Sequence, residues 1–192
     1  MARIIAITNQ KGGVGKTTTT VNLAASLAAA KRKVLLVDLD PQGNATMGSG
    51  VDKRTVEISV AHVLLEQNTV HECIVTSETA GYDLLPSNEQ LTSAEVGLLE
   101  ARGREFKLRR ALEEVSDQYD YILIDSPPSL NMLTVNGLVA AQSVIIPTQC
   151  EYYALEGLSA LLGTIERVRQ SANPELQVEG VLRTMFDPRN NL

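Results

Sequence analysis

The sequence predicts an α/β fold, a doubly wound, mostly parallel sheet with helices on both faces. Three observations predict it. Four short, almost purely apolar runs end in polar residues, as parallel strands buried on both faces do: Ile4-Ile5-Ala6-Ile7, Val34-Leu35-Leu36-Val37 before Asp38, Ile122-Leu123-Ile124 before Asp125, and Val144-Ile145-Ile146 before Pro147. Helical patterns separate them, and strand alternating with helix gives crossover connections around one sheet. A glycine-rich turn, Gly12-Gly13-Val14-Gly15, joins the first strand to the first helix.

In chain order, the first strand leads through that turn into a helix from Thr17 to Ala30, then into the second strand. Residues 43–55 are rich in Gly, Ser, Thr and Asn and read as a loop, and Tyr82-Asp83-Leu84-Leu85 reads as a further strand. A helix follows on which Leu108, Ala111, Leu112 and Val115 face inward. Beyond the strand at 122–124, helices are expected from Ser129 to Ala141 and from Tyr152 to Gln170. Leu155, Leu158, Leu162, Ile165 and Val168 form one stripe on the second of these, and a last strand is expected from Val178 to Met185. No repeat, low-complexity tract or linker divides residues 1–192, which read as a single domain.

Composition narrows the function classes. With 44% hydrophobic residues in 192, the chain can bury a sizeable core. Lys and Arg number 17 against 23 Asp and Glu, a net charge of -6, so no global basic field draws in nucleic acid or an acidic membrane. Cys73 and Cys150 lie far apart without CxxC or metal-ligand spacing, which suggests reduced thiols and no zinc or iron-sulfur site. The N-terminal apolar run is too short for a signal peptide and no run reaches membrane-spanning length, so a cytoplasmic protein is expected.

The strongest motif is Asn9-Gln10-Lys11-Gly12-Gly13-Val14-Gly15-Lys16-Thr17 between a strand and a helix. Its glycines let the backbone approach a phosphate chain and turn N–H groups inward, and the helix N-terminus adds its dipole. Lys16 is expected to reach the β and γ phosphates and the Thr17 hydroxyl to ligate Mg²⁺. The phosphate-contacting set is Lys11, Gly12, Gly13, Val14, Gly15, Lys16, Thr17 and Thr18. The ordinary pattern G-x-x-x-x-G-K-[ST] wants Gly where Gln10 stands, and an extra lysine, Lys11, precedes the paired glycines. That combination is the deviant Walker A signature of a P-loop NTPase.

Carboxylates follow at the strand ends, where open α/β sheets bind ligands. The second strand runs into Asp38-Leu39-Asp40-Pro41, and alternation along an extended chain lets Asp38 and Asp40 both face the phosphates. A carboxylate beside Mg²⁺ is a weak base, so Asp40 is cast as the group that orients the attacking water, with Asp38 nearer the metal. Tyr121-Ile122-Leu123-Ile124-Asp125 reads as Walker B, with Asp125 delivered to the magnesium.

Together with residues 9–19, the stretches VLLVDLDPQGN, YDYILIDSPPSL, PTQCEYYALEG and VEGVLRTMFD closely resemble the ParA/Soj family of chromosome and plasmid partition ATPases, relatives of MinD. The resemblance implies an Mg²⁺-dependent ATP hydrolase. In this family ATP closes two subunits face to face, the dimer binds DNA without sequence preference, and a ParB/Spo0J-type partner stimulates hydrolysis. It implies catalytic roles for Lys11, Lys16 and Asp40, with Lys11 crossing to the nucleotide of the facing subunit. It also implies a metal-binding role for Thr17 and Asp125, and for Asp38 a neighbouring acidic position. Association with the nucleoid in the ATP-bound state, and no stable membrane association, are further implications. Family members continue for several tens of residues past the position of Leu192, with the last strand and helices, part of the adenine pocket and much of the DNA surface, so the chain is expected to lack its C-terminal part.

Non-specific duplex binding needs clustered cations. The densest run, Arg102, Arg104, Lys107, Arg109 and Arg110, is interrupted by Glu105 and followed by Glu113 and Glu114, which suits a solvated helix face. Arg189 is the DNA-contact candidate, and Pro147 is a candidate border of the base. Tyr152 and Tyr153 read as packing residues. A MinD-like, membrane-recruited switch is the alternative reading, and it requires a C-terminal amphipathic helix.

Overall fold

The computed structural model describes residues 1–150, 154–187 and 189, apart from the side chains of residues 154–156. Among them the elements are β1 (Arg3–Ile7), α1 (Lys16–Ala29), β2 (Val34–Asp38), α2 (Asn44–Gly48), α3 (Val60–Leu64), α4 (Val70–Cys73), β3 (Val75–Ser77), β4 (Tyr82–Leu85), α5 (Gln90–Leu98), α6 (Lys107–Glu113), β5 (Tyr121–Asp125), α7 (Met132–Ala140), β6 (Ser143–Gln149), α8 (Ala154–Ser171) and β7 (Gln177–Thr184). The strands form one sheet in the order β3-β4-β2-β5-β1-β6-β7. Every neighbouring pair is parallel except β3 with β4, which is antiparallel.

Alternation along each strand divides the core in two. Ile5 and Ile7 of β1, Leu36 of β2 and Leu123 of β5 pack with Ala24 of α1 and Ala45 of α2 on one face. Ile4 and Ala6, Leu35 and Val37, and Ile122 and Ile124 point the other way, onto Leu98 of α5, Leu108 and Leu112 of α6, Leu138 of α7 and Ile165 of α8. Helices therefore cover both faces, and β2 is buried at every position, as its unbroken apolar run requires. The expected fold class is the one observed.

The differences have local causes. Residues 43–55 contain a helix, α2, because Asp38 draws the Thr46 N–H and hydroxyl inward and so tightens the chain. Helix α7 starts three residues later than the apolar pattern suggests, since Asn131 caps it by accepting from Thr134 N–H at 3.1 Å. On α8 the buried stripe runs through Leu161, Ile165 and Val168, while Leu162, expected inside, is 41% exposed. Two adjacent leucines satisfy the helical period equally well in sequence, and packing chose the first. Strand β7 pairs with β6 along its length, and among the described residues no strand pairs with its other edge, with Val178, Val181 and Leu182 exposed. Where Val144 pairs with Val178 and Ile145 with Gly180, Glu179 bulges out and takes the Arg3 guanidinium at 2.6 and 2.8 Å.

Candidate functional site

The sheet register brings the site together. Ile7 of β1 lies opposite Asp125 of β5, and Asp125 lies opposite Asp38 of β2, so the three strands end level at one edge. The chain leaves β1 there and wraps residues 9–15 over the edge before entering α1. Gly15 is the N-cap of α1 at φ 87, a left-handed conformation that disfavours any side chain, and it offers no capping group. By contrast Ser59, Thr69 and Asn131 cap α3, α4 and α7 with their own oxygens. The first N–H groups of α1 thus keep their donors for an anion.

The loop is held at several points. Asn9, 3% exposed, donates Nδ2 to the Pro147 carbonyl at 2.7 Å and accepts the Lys11 N–H at 3.0 Å, tying the loop to β6. Lys16 Nζ donates to the Lys11 carbonyl at 3.0 Å, so the ammonium already lies across the loop that it would share with phosphates. Thr184, at the end of β7, donates its hydroxyl to the Val14 carbonyl at 2.8 Å. The amide nitrogen of Gln10 is buried without a hydrogen-bond partner among the described residues.

Beneath the loop lies a concentration of buried charge. Asp125 accepts the Thr17 hydroxyl at 2.7 Å and the Thr20 hydroxyl at 3.0 Å, on its two separate oxygens. Burial pushes its carboxyl up to about 7, with the nearby Asp38 charge adding and the two threonine hydrogen bonds opposing. Asp38 is fully buried and pushed up to about 6 by that burial, although it accepts the Asp40 N–H at 3.1 Å, the Thr46 N–H at 2.8 Å and the Thr46 hydroxyl at 2.7 Å. Burial also lowers the Lys16 ammonium, while Asp125 and Asp40 support its charge. Asp40 is fixed by its own turn, its Oδ1 accepting from Gln42 N–H at 2.9 Å and its carbonyl from the Ser87 hydroxyl at 2.8 Å.

Three buried carboxylates around one ammonium leave an excess of negative charge, and the hydroxyl and carboxylate of Thr17 and Asp125 are hard oxygen donors. That donor set suits Mg²⁺. Among the described residues no three His, Cys, Asp or Glu cluster as a metal cage. Mg²⁺ needs none, since it is ordinarily held by one or two protein oxygens together with nucleotide phosphates and water.

Comparison with known proteins places this edge in a family. The family described as "AAA domain" matches residues 2–178. The sporulation initiation inhibitor protein Soj of Bacillus subtilis is 55% identical over 192 residues, covering 100% of this chain and 76% of that protein. The chromosome partitioning protein ParA of Myxococcus xanthus is 53% identical over 192 residues, covering 100% of this chain and 68% of that one. The chain belongs to the ParA/Soj family. Among solved structures, a Mycobacterium smegmatis protein described as cobyrinic acid a,c-diamide synthase, with bound ATP analog and magnesium, superposes with a TM-score of 0.95 at 45% identity, over 99% of this chain and 78% of that one. A Borrelia burgdorferi plasmid partition protein bound to AMPPNP superposes with a TM-score of 0.82 at 30% identity, over 99% and 77%.

In this ParA/Soj chain the residues expected from sequence separate into groups. Gly12 and Gly13 sit exposed at the outer turn of the loop, Val14 is buried beneath it, and Lys16, Thr17, Asp40 and Asp125 converge. Thr18 points to solvent on α1, and its carbonyl accepts from Asn22. Asp38 lies level with Asp125, and both of its oxygens are engaged by residues 40 and 46. Arg189 stands apart, 88% exposed and paired with Asp187 at 2.7 Å. Pro147 is buried and contributes its carbonyl to Asn9. Tyr152 and Tyr153 lie outside the described residues. The basic run near α6 is divided: Lys107 pairs with Glu66 at 2.7 Å and Arg109 with Glu113 at 3.2 Å. Cys73 and Cys150 are free thiols, and burial pushes Cys73 up to about 11.

Sequence reasoning missed Thr20, Thr46, Ser87 and Thr184. Thr20 carried a signal, since it follows Thr17 by three positions and so shares its helix face. Ser87 and Thr184 act across long sequence separations and carried none, and Thr46, only eight residues past Asp38, lies in a polar stretch with no helical pattern.

Proposed function

We propose that this chain is a partition ATPase that hydrolyses ATP to ADP and phosphate in a nucleotide-sandwich homodimer. The reading rests above all on the Thr17 hydroxyl lying 2.7 Å from the Asp125 carboxylate at the mouth of the phosphate loop. Relatives named for chromosome partitioning, and solved neighbours with ATP analog and magnesium or AMPPNP bound, support it.

Residues 11–18 wrap the phosphates with backbone N–H groups. Lys16 exchanges the Lys11 carbonyl for phosphate oxygens, and burial keeps its charge from being screened by water. Thr17 and Asp125 would hold Mg²⁺, which would supply charge neutralisation to the phosphates. Asp40, fixed by Gln42 and Ser87, orients the attacking water. Asp38 stays beside the metal site and keeps the Asp40 turn in place. Lys11 serves the facing subunit, where a cation stabilises charge developing on the γ-phosphate. The dimer binds DNA without sequence preference, Arg189 joining that surface, and a ParB/Spo0J-type protein accelerates turnover. These events take place in the cytoplasm, on the nucleoid. Among the described residues no helix is long and apolar enough to cross a membrane.

The test is ATP turnover by the chain, alone and with DNA and a ParB-type protein, at fixed salt. Slow turnover that rises with both additions is expected. Lys16→Ala should abolish turnover, and Asp40→Ala should stop hydrolysis while sparing ATP binding. Turnover indifferent to DNA and partner but dependent on a carboxylic acid acceptor would favour instead the synthase chemistry named for the Mycobacterium smegmatis protein.

A further inference from the structure

We propose that Thr184, the last residue of β7, is a positioning residue for nucleotide binding, because its hydroxyl fixes the Val14–Gly15 peptide so that the Gly15 N–H faces the phosphates. The inference rests on the nucleotide reading given above and adds to it a residue far from the loop in sequence.

The geometry has two parts. Thr184 Oγ1 donates to the Val14 carbonyl at 2.8 Å, across a separation of 170 residues. Its methyl group faces the neighbouring residue: a Cβ added to Gly15 would come to 3.5 Å from Thr184 Cγ2. A trans peptide is planar, with its carbonyl and its N–H on opposite sides. A hydroxyl that holds the Val14 carbonyl towards β7 therefore turns the N–H of the same peptide, that of Gly15, away from β7 and into the concave side of the loop. Gly15 is also the N-cap of α1, so its N–H stands at the positive end of the helix dipole. Without the latch this peptide is free to flip, because Gly15 tolerates the backbone conformations on either side of such a flip.

Thr184 can do this because β7 pairs with β6 to its end, with Thr184 opposite Gln149. On the other side of the loop Asn9 ties the Lys11 N–H to β6. The loop is thus pinned at both ends of its turn, and Thr184 provides the pin that sets a phosphate-facing N–H.

Thr184→Val keeps the shape and removes the donor, while Thr184→Ser keeps the donor and removes the methyl. Binding of ATP, ADP and adenosine to each is measured by calorimetry, beside thermal melts of the nucleotide-free protein. Thr184→Val should weaken ATP and ADP alike by roughly two- to twelve-fold, the range that one net hydrogen bond carries. Loop N–H groups cradle phosphates common to both nucleotides, so adenosine binding should be unchanged. Thr184→Ser should bind ATP within about twofold of the parent, on the same reasoning. The proposal is overturned if Thr184→Val binds ATP like the parent, if Thr184→Ser is as weak as Thr184→Val, or if adenosine loses as much as ATP. Lys16→Ala separates the two levels of the account: undiminished ATP binding by that variant would remove the phosphate-loop reading itself, whatever the Thr184 variants do.

Discussion

Thr46→Val is the substitution whose cost the structure sets most narrowly. Thr46 is fully buried, donates its hydroxyl to Asp38 at 2.7 Å, and accepts the Ser87 N–H on the same oxygen at 2.9 Å. Valine fills the same volume, so packing is unchanged and the loss is polar. Asp38 keeps the Thr46 and Asp40 N–H groups but loses the third of its donors, and a hydrogen bond to a charged group is worth about 1.5–3 kcal/mol. The Ser87 N–H is left buried without its acceptor, for roughly another 1–3 kcal/mol. The sum is about 2.5–6 kcal/mol, which in a domain of this size lowers the melting temperature by roughly 5–24 °C. Urea unfolding of the nucleotide-free protein, followed by circular dichroism, measures it. Thr46→Ser retains both hydrogen bonds and should lose no more than about 1 kcal/mol for the missing methyl. A Thr46→Val midpoint within about 1 kcal/mol of the parent, at unchanged slope, would refute the claim that this hydroxyl holds Asp38 and the Ser87 loop together.

Two further perturbations address the same edge. Asp125 is pushed up to about 7 and Asp38 up to about 6, so for each the folded pKa lies above the unfolded value of 3.8. Their contribution to stability is complete below about pH 4 and is lost as pH rises through 6 and 7. The nucleotide-free protein should therefore need less urea at pH 8 than at pH 5, and Asp125→Asn should flatten that dependence; a midpoint that climbs with pH in this window would contradict the assignment. Gly43→Ala forces a side chain onto φ 60 and places its Cβ 2.9 Å from the Ser87 carbonyl, so it should cost at least about 1 kcal/mol and slow hydrolysis by displacing Asp40, whose carbonyl accepts the Gly43 N–H at 2.9 Å. Parent-like urea midpoints and turnover would count against that coupling.

Much of this edge could be read from the amino acids. The apolar runs ending at Asp38 and Asp125 announce buried parallel strands, and Gly15-Lys16-Thr17 announces the loop, because strand burial and phosphate wrapping are both local demands on sequence. Leu161 and Leu162 mark one limit, since either satisfies the helical period and only packing chooses between them. Asp38 and Asp40 mark another: alternation gives both the same side of the strand, but the Thr46 hydroxyl, supplied by a helix hidden in a polar stretch, claims Asp38. Thr184 marks the third, as nothing in a strand of mixed composition announces that its last hydroxyl reaches Val14.

The most direct test of the central claim is the affinity for ATP measured with and without Mg²⁺, in the parent, Thr17→Val and Asp125→Asn. If Thr17 and Asp125 hold the metal under the phosphate loop, Mg²⁺ tightens ATP binding in the parent and the increment disappears in both variants. The same Mg²⁺ increment in all three proteins would contradict it.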